Sequence, residues 1–209
     1  MLVETLDPKR CAVLFFDMLN GHIKKVNRLP SERYRPVIEA AKTLLDSARA
    51  HEVMVAYAAA NHRADNATSA HIIRDTDNRL NPLPFNKKPD SKPVVAGGTW
   101  EAAVIDEVAP KEHDYMIPKY RWSAFFQTYL ELALRSRHID TLIIAGGSTD
   151  VGVASTAFAA RDLDYNLVVV RDACTSAEGD NHDQLMNRIF PRMGRVRTAN
   201  EVAAMFSAN

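Results

Sequence analysis

The sequence contains few cysteines and no long apolar run. Only two cysteines, Cys11 and Cys174, occur among 209 residues, and their apolar, strand-like surroundings favour buried, reduced thiols over a disulfide framework. No stretch approaches the ~18 uninterrupted apolar residues of a membrane span. The polar first ten residues lack the apolar segment of a signal peptide. These absences predict a cytoplasmic protein with no membrane contact.

An excess of charge of one sign is also absent. Lys plus Arg number 26, Asp plus Glu also number 26, and the two signs are interspersed along the chain. A nucleic-acid partner is therefore not expected. The chain also lacks a G-x-G-x-x-G pattern after its first apolar run and has no P-loop, so we expect no cofactor. Its length suits one domain with a sizeable core, and we expect residues 1–209 to form that domain.

Strand and helix signals alternate along the chain. Short apolar runs predict six strands: Ala12–Phe16, Val53–Tyr57, Tyr115–Pro118, Thr141–Ala145, Leu167–Val170 and Arg195–Arg197. Helical spacing and capping residues predict helices from Ser31 through Ala48, over Phe126–Arg137, Thr149–Leu163 and Asn181–Phe190, and through Met205. Such alternation predicts an α/β fold, a three-layer α/β/α sandwich with a six-stranded, mostly parallel, doubly wound, Rossmann-like sheet.

The segment 61–99 does not follow this alternation. It is rich in proline, carries the pair Gly97-Gly98 and shows little periodicity. We expect it to be a long excursion that folds over the strand ends as a lid or meets a neighbouring subunit.

Three local patterns lie directly after predicted strands. Asp17 ends the first apolar run, Lys119 ends the third, and Gly146-Gly147 follows the fourth. Taken alone, these residues are ordinary caps, surface charges or turns. In a parallel sheet, however, the carboxyl ends of the strands share one rim, and ligands bind there. The joint occurrence of the three patterns favours a single cleft at that rim.

These patterns resemble the isochorismatase-like cysteine hydrolases. The family signature after the fourth strand is Gly, two small residues, Thr, two residues, Cys, Val, two residues and Thr, which Gly146, Thr149, Val153 and Thr156 match. The run Pro118–Phe126 resembles the lysine segment of the ureidoacrylate-like branch, and the resemblance covers nearly the whole chain.

One departure from the family pattern changes the mechanism that the resemblance implies. Gly152 occupies the position of the nucleophilic cysteine, so a thiolate cannot act there. Neither Cys11 nor Cys174 is an obvious substitute. Two branches of the family carry glycine at this position, the isochorismatases, which cleave a vinyl ether without a covalent intermediate, and a group of bacterial proteins of unknown activity. We expect the glycine to leave room for substrate or water where a thiol would stand; the alternative is a small residue near a helix start that packs closely against the sheet.

The resemblance also implies roles for individual residues. Asp17 is expected to be the general acid of a vinyl-ether hydrolysis and Lys119 to hold it in place, so that Asp17, Lys119 and Gly152 form the catalytic set. For substrate binding we name Gly147, Ser148 and Thr149, whose backbone N–H groups can bind a carboxylate or oxyanion, together with Arg121, Trp122 and Phe126. The family has a cis peptide bond at the position of Gly147–Ser148. The aromatic residues Trp122, Phe125 and Phe126 line the pocket or belong to the core or a subunit interface.

Two alternatives to this mechanism stay open. The chain could hydrolyse a C–N bond in an amide or ureido compound with water directly and Asp17 as base, or it could bind small carboxylates without turnover. In each case the partner is a small molecule, and the family commonly forms dimers or tetramers. We expect no zinc site at His62, Asp65 and His71, because the acidic residue that nicotinamidases place before the first histidine is absent. His182 is interpreted as a hydrogen-bonding residue at a helix start.

Overall fold

In the parts of the chain that the computed structural model describes, residues 4–25, 27–69, 95–177 and 180–207, six parallel strands form one sheet. The strands are β1 (Cys11–Phe16), β2 (Met54–Ala60), β3 (Tyr115–Lys119), β4 (Thr141–Gly147), β5 (Asn166–Thr175) and β6 (Arg195–Arg197). Their order across the sheet is β3-β2-β1-β4-β5-β6, and each neighbouring pair is parallel. The predicted α/β fold with a doubly wound sheet is confirmed.

Helices cover both faces of the sheet. The helices are α1 (Asn20–Ile23), α2 (Tyr34–Ala50), α3 (Leu130–Ser136), α4 (Ala154–Asp162), α5 (Asn181–Gln184) and α6 (Ala199–Ser207). All six residues of β1 are buried, and their side chains alternate between the faces. Val13 and Phe15 join a core with α2 and α6, whereas Leu14 and Phe16 join a second core with α3 and α4. These two cores separate the three predicted layers.

Two predicted helices begin or end elsewhere in the structure. The prediction Phe126–Arg137 was wrong at its start, because Gln127 adopts a left-handed φ of 54° and the helix begins at Leu130. The predicted helix around Asn181–Phe190 is present as a helical run, in which α5 ends at Gln184 and is followed by a π-helical turn (Leu185–Ile189) and a 3₁₀ turn (Phe190–Arg192). Pro191 has no N–H to continue a helix, which accounts for the tightened end.

Two strands are longer than their apolar runs. β2 continues through three alanines to Ala60, and β5 continues past the polar pair Arg171-Asp172 to Thr175. A register shift between Ile144 and Gly146 accommodates the extra residues of β5. Cys174 therefore lies within β5.

Strand order reverses between β1 and β4, which are neighbours in the sheet although they are far apart in sequence. The crevice at such a switch point, beyond the carboxyl ends of the strands, is where doubly wound sheets bind ligands. Asp17 follows β1 and Gly147 ends β4, so both flank this crevice. No helix in the described ranges is long and apolar enough to cross a membrane.

Candidate active site

Asp17 is held at the crevice by three strands. Its backbone has a φ of 48°, which turns the chain sharply as it leaves β1. One carboxylate oxygen, Oδ1, accepts a hydrogen bond from the backbone N–H of Ala60 at 2.9 Å, and the other, Oδ2, accepts one from Nζ of Lys119 at 2.7 Å. The Asp17 N–H donates to the carbonyl of Ala58 at 2.9 Å. The carboxylate is thus fixed by the ends of β2 and β3.

Lys119 is the last residue of β3 and is almost completely buried. Its side chain is 6% exposed and that of Asp17 is 12% exposed, so the pair is largely withdrawn from water. The ammonium also lies 4.3 Å from the ring centroid of Phe16, within the distance of a cation–π contact. The sequence predicted the meeting of Asp17 and Lys119 but not the contact with the aromatic ring.

The turn after β4 brings its backbone against β1. Gly146 has a φ of 118°, and a Cβ there would lie 2.1 Å from the carbonyl oxygen of Phe16, so only glycine fits. The peptide bond between Gly147 and Ser148 is cis, as the family resemblance implied. A π-helical turn (Thr149–Val153) then leads into α4 and carries Gly152 to the crevice.

The space beside Gly152 is not free. A Cβ at this position would lie 2.0 Å from Cε1 and 2.2 Å from Cζ of Phe16, closer than real carbon atoms approach. The expectation that Gly152 leaves room for substrate or water is therefore wrong at the Cβ position. The missing side chain makes room for the ring of Phe16.

These elements enclose a cavity of about 220 Å³. Of the predicted site residues, it is lined by Asp17, Lys119, Gly152, Gly147, Ser148 and Trp122. The predicted catalytic set thus meets in one place, together with three of the six residues predicted to bind substrate.

The other three predicted binding residues are not among the residues that line the cavity. The guanidinium of Arg121 donates to the carbonyls of Thr68 and Tyr120 at 2.9 and 2.7 Å. Thr149 is fully buried, and its Oγ1 lies 3.0 Å from Nδ1 of His182. Phe126 is 51% exposed.

Two further predicted residues also have defined contacts. The hydrogen bond between Thr149 and His182 confirms the helix-start role of His182. The ring of Phe125 packs against the ring of Tyr165, with 5.8 Å between the centroids.

Four further residues line the cavity that the sequence patterns did not single out: His22, Lys25, Arg33 and Tyr34. His22, Lys25 and Arg33 lie between β1 and α2, and Tyr34 is the first residue of α2; no strand end or motif marks any of them. Burial lowers the pKa of His22; the charge of Asp17 opposes this shift, and those of Lys119 and Lys25 add to it, so this imidazole stays neutral to lower pH than usual. The signal available was the concentration of basic residues close after Asp17.

The turn after β4 is tied to the first residue of α5. Asp150 accepts hydrogen bonds from Oγ of Ser148 and, at 2.8 Å, from Nδ2 of Asn181. Burial acts to raise the pKa of Asp150, but these hydrogen bonds prevail and hold it below its usual value. The connection fixes the backbone of Ser148 at the edge of the cavity.

The described metal and thiol candidates, His62, Asp65, Cys11 and Cys174, are not among the residues that line the cavity. Nδ1 of His62 is 3.3 Å from Oγ1 of Thr68, Asp65 pairs with Arg63, and His71 lies outside the described residues, as do residues 70–94 of the predicted excursion. Cys11 and Cys174 are both buried, and burial raises the pKa of each thiol to about 12. Neither sulfur belongs to a residue that lines the cavity in the described part of the chain.

The buried ion pair lies where the strand order of a doubly wound sheet reverses. α/β proteins of this kind bind small molecules in the crevice at that point. The isochorismatase domain model matches residues 11–201, and this chain belongs to the isochorismatase family. Family members are hydrolases.

Known relatives agree with this assignment. The chain is 46% identical over 91 residues to the uncharacterized isochorismatase family protein YecD of Escherichia coli O157:H7, a match that spans 44% of this chain and 48% of that protein. It is 29% identical over 211 residues to a ureidoacrylate amidohydrolase of Agrobacterium fabrum, covering 97% and 92%. An isochorismatase family protein of Burkholderia thailandensis superimposes with a TM-score of 0.78 at 30% identity, covering 97% and 98%.

Proposed function

We propose that this chain is a hydrolase of small anionic substrates in which Asp17 transfers protons and no cysteine attacks. The observation that carries the proposal is the Asp17–Lys119 pair, 2.7 Å apart, in a crevice where residue 152 is glycine. In this interpretation the chain belongs to the part of the family with glycine at the position of the nucleophile.

A covalent route through a thiol has no support in the described cavity. The two thiols belong to buried core residues with raised pKa values, and a thiolate is the form that attacks. Water is then the nucleophile, and Asp17 is the group placed to give or take its protons. Lys119 keeps the carboxylate in one orientation.

The charges around the cavity support a carboxylate-bearing substrate. Lys25 and Arg33 are exposed residues of the lining, and their cationic groups are not offset by a carboxylate other than Asp17 among the described lining residues. Asp17 is itself paired with Lys119. An anionic group of the substrate would enter beside the two outer cations, and the cis turn at Gly147–Ser148 would bind a second polar group.

The first candidate bond is a vinyl ether, as in isochorismate. Asp17, starting as the carboxylic acid, would protonate the methylene carbon, and positive charge would develop on the carbon that bears oxygen. Water would add there and return a proton to Asp17, and the hemiketal would break into pyruvate and an alcohol. This reaction needs no nucleophilic side chain, which agrees with Gly152.

The second candidate bond is the C–N bond of an amide or ureido compound. The ureidoacrylate amidohydrolase relative supports it, since the alignment spans nearly both chains. Both oxygens of Asp17 accept hydrogen bonds from N–H groups, as the oxygens of a carboxylate do. A carboxylate would serve as base, taking a proton from the attacking water and passing it to the leaving nitrogen.

A turnover screen tests the proposal and separates the two bonds. Wild-type protein and Asp17→Asn are incubated with isochorismate and with ureido and amide carboxylates. Pyruvate is measured for the first reaction and ammonia for the second. We expect one product from wild type and a loss of about 10²–10⁴-fold in Asp17→Asn.

Two results would contradict the proposal. Turnover that survives Asp17→Asn unchanged would remove Asp17 from the chemistry. Binding of carboxylates by wild type with no product across the panel would favour a binding module without catalysis.

The oligomeric state is proposed to be a homodimer or homotetramer. Large apolar side chains are exposed along and near α3, among them Trp122, Phe126 and Leu132, which are 55%, 51% and 71% exposed. Light scattering after size exclusion gives the mass directly, and a monomer at micromolar concentration would contradict this part of the proposal.

A further inference from the structure

Two consecutive phenylalanines of β1 have different surroundings. Phe15 faces the core with α2 and α6, where its ring stacks on that of Tyr57 at 5.3 Å. Phe16 points to the opposite face, where its ring reaches both Gly152 and the ammonium of Lys119. Both side chains are almost fully buried, so burial does not distinguish them.

The ring of Phe16 fills the volume that a side chain at position 152 would need. Three of its carbons, Cε1, Cζ and Cδ1, lie 2.0, 2.2 and 2.9 Å from an ideal Cβ built on Gly152. Because the ring is held between the sheet and the π-helical turn, any larger residue at 152 must displace it. The side chain at position 16 therefore limits the size of the residue at position 152, and the reverse also holds.

The face of the same ring lies against the catalytic pair. Nζ of Lys119 is 4.3 Å from the ring centroid and 2.7 Å from Oδ2 of Asp17. Asp17 is also the next residue in the chain. A buried ammonium on an aromatic face is held by the negative potential of that face, so the ring restricts where Nζ can be.

We propose that Phe16 is a positioning residue whose ring takes the place of a side chain at residue 152 and orients Lys119 toward Asp17. In this arrangement residue 152 must be glycine, because the ring of Phe16 occupies the position of its Cβ. The part of this inference that concerns catalysis rests on the proposed function, whereas the packing part does not.

Thermal unfolding of a double-mutant set tests the packing. Gly152→Cys alone should lower Tm by about 5 °C or more, because overpacking a core of this size is costly. In the Phe16→Val background, the same substitution should cost much less, since the ring is gone. Equal losses in the two backgrounds, or a double variant that does not fold, would overturn the proposal.

Thiol labelling gives an independent measure of the same volume. Both native cysteines are buried, so the folded protein starts with a low background. The thiol introduced by Gly152→Cys should react with Ellman's reagent in the Phe16→Val background, where it can occupy the cavity wall. A thiol that stays unreactive there would show that residue 152 does not face the vacated space.

Two more measurements test whether the ring of Phe16 orients Lys119 toward Asp17. Lys119→Met should destabilise the Phe16→Leu variant less than it destabilises wild type, because leucine fills volume but offers no π face. With the substrate found in the turnover screen, Phe16→Leu should lower kcat about tenfold and leave KM nearly unchanged. Additive unfolding costs, or a rise in KM with kcat unchanged, would contradict the role of the ring.

Phe15→Leu is the matched control. It removes an equally buried phenyl group from the neighbouring position of the same strand, on the face away from Gly152. It should lower Tm without changing the cost of Gly152→Cys and without changing kcat. If the panel yields no product, the unfolding cycles and the labelling still decide whether Phe16 occupies the proposed place, and the proposed function fails separately.

Discussion

Two buried lysines of the described residues, Lys119 and Lys24, form ion pairs of almost the same length. Nζ of Lys119 lies 2.7 Å from Asp17, and Nζ of Lys24 lies 2.8 Å from Glu107. The lysine side chains are 6% and 9% exposed. Burial and distance alone would rank the two pairs together.

The surroundings of the two pairs differ. Glu107 lies in a 3₁₀ turn and its side chain is 31% exposed, although Oε2, the oxygen that meets Lys24, is itself buried. Asp17 is 12% exposed, accepts a second hydrogen bond from the end of β2 and faces a cavity at the switch point of the sheet. The location of the Asp17–Lys119 pair at the strand ends, beside a cavity, makes it a candidate for catalysis. The N···O distance and the burial of the lysine do not distinguish it from the Lys24–Glu107 pair.

Removing each lysine should give the largest difference between the two pairs. Lys119→Met leaves a buried carboxylate without its cation and should cost about 3–5 kcal/mol of unfolding free energy. Lys24→Met should cost about 1 kcal/mol, because Glu107 can turn to solvent. Chemical denaturation measures both, and turnover should be lost only in Lys119→Met. Equal costs would show that the two pairs are equivalent structural contacts.

The pH dependence of the unfolding free energy should reveal the buried imidazole of His22, which lines the cavity. Its folded pKa lies below the ordinary 6.5 because of burial; the charge of Asp17 acts in the opposite direction, and those of Lys119 and Lys25 add to the lowering. The unfolded chain therefore binds a proton first as pH falls, so stability is full above pH 6.5 and decreases as pH drops from 6.5 toward the lowered folded pKa.

The substitution His22→Gln should make this decrease in unfolding free energy shallower between pH 7 and 5, because the titrating imidazole is gone. His62 and His182 also have pKa values lowered by burial, so part of the decrease remains. Urea denaturation at a series of pH values measures the change. An unchanged slope in His22→Gln would mean that the imidazole is not held neutral beside Lys119.

The smallest effect is expected from the thiols. Cys11 and Cys174 have pKa values raised to about 12 by burial, so both should be protonated and unreactive toward Ellman's reagent at pH 8 in the folded protein. Both should react after unfolding. Cys174→Ala should leave kcat unchanged, and a loss of turnover with folding intact would bring a sulfur atom into the mechanism.

Much of the fold was predictable from local patterns. The strand β1 is buried on both faces, which makes Cys11–Phe16 a continuous apolar run that is easily recognised. The start of α3 was not predictable, because the left-handed turn at Gln127 depends on how the preceding segment packs. The extension of β5 past Arg171 likewise depends on a register shift against β4.

The candidate site divides in the same way. Asp17, Lys119 and Gly147 could be placed together because the carboxyl ends of parallel strands share one edge. The family resemblance predicts binding roles for Arg121 and Phe126, and the backbone N–H predicts one for Thr149, but none of the three is among the residues that line the cavity. His22, Lys25 and Arg33 were missed because they come from a connection without periodicity.

The sequence by itself determined the sheet, its two cores and the strand ends at which Asp17 and Lys119 lie, because burial on both faces and residue order leave few alternatives. Only the tertiary structure decided that the ring of Phe16 fills the space beside Gly152 and contacts the ammonium of Lys119. Which neighbour a side chain meets across a sheet depends on register, twist and packing, and these are set by contacts between residues distant in sequence.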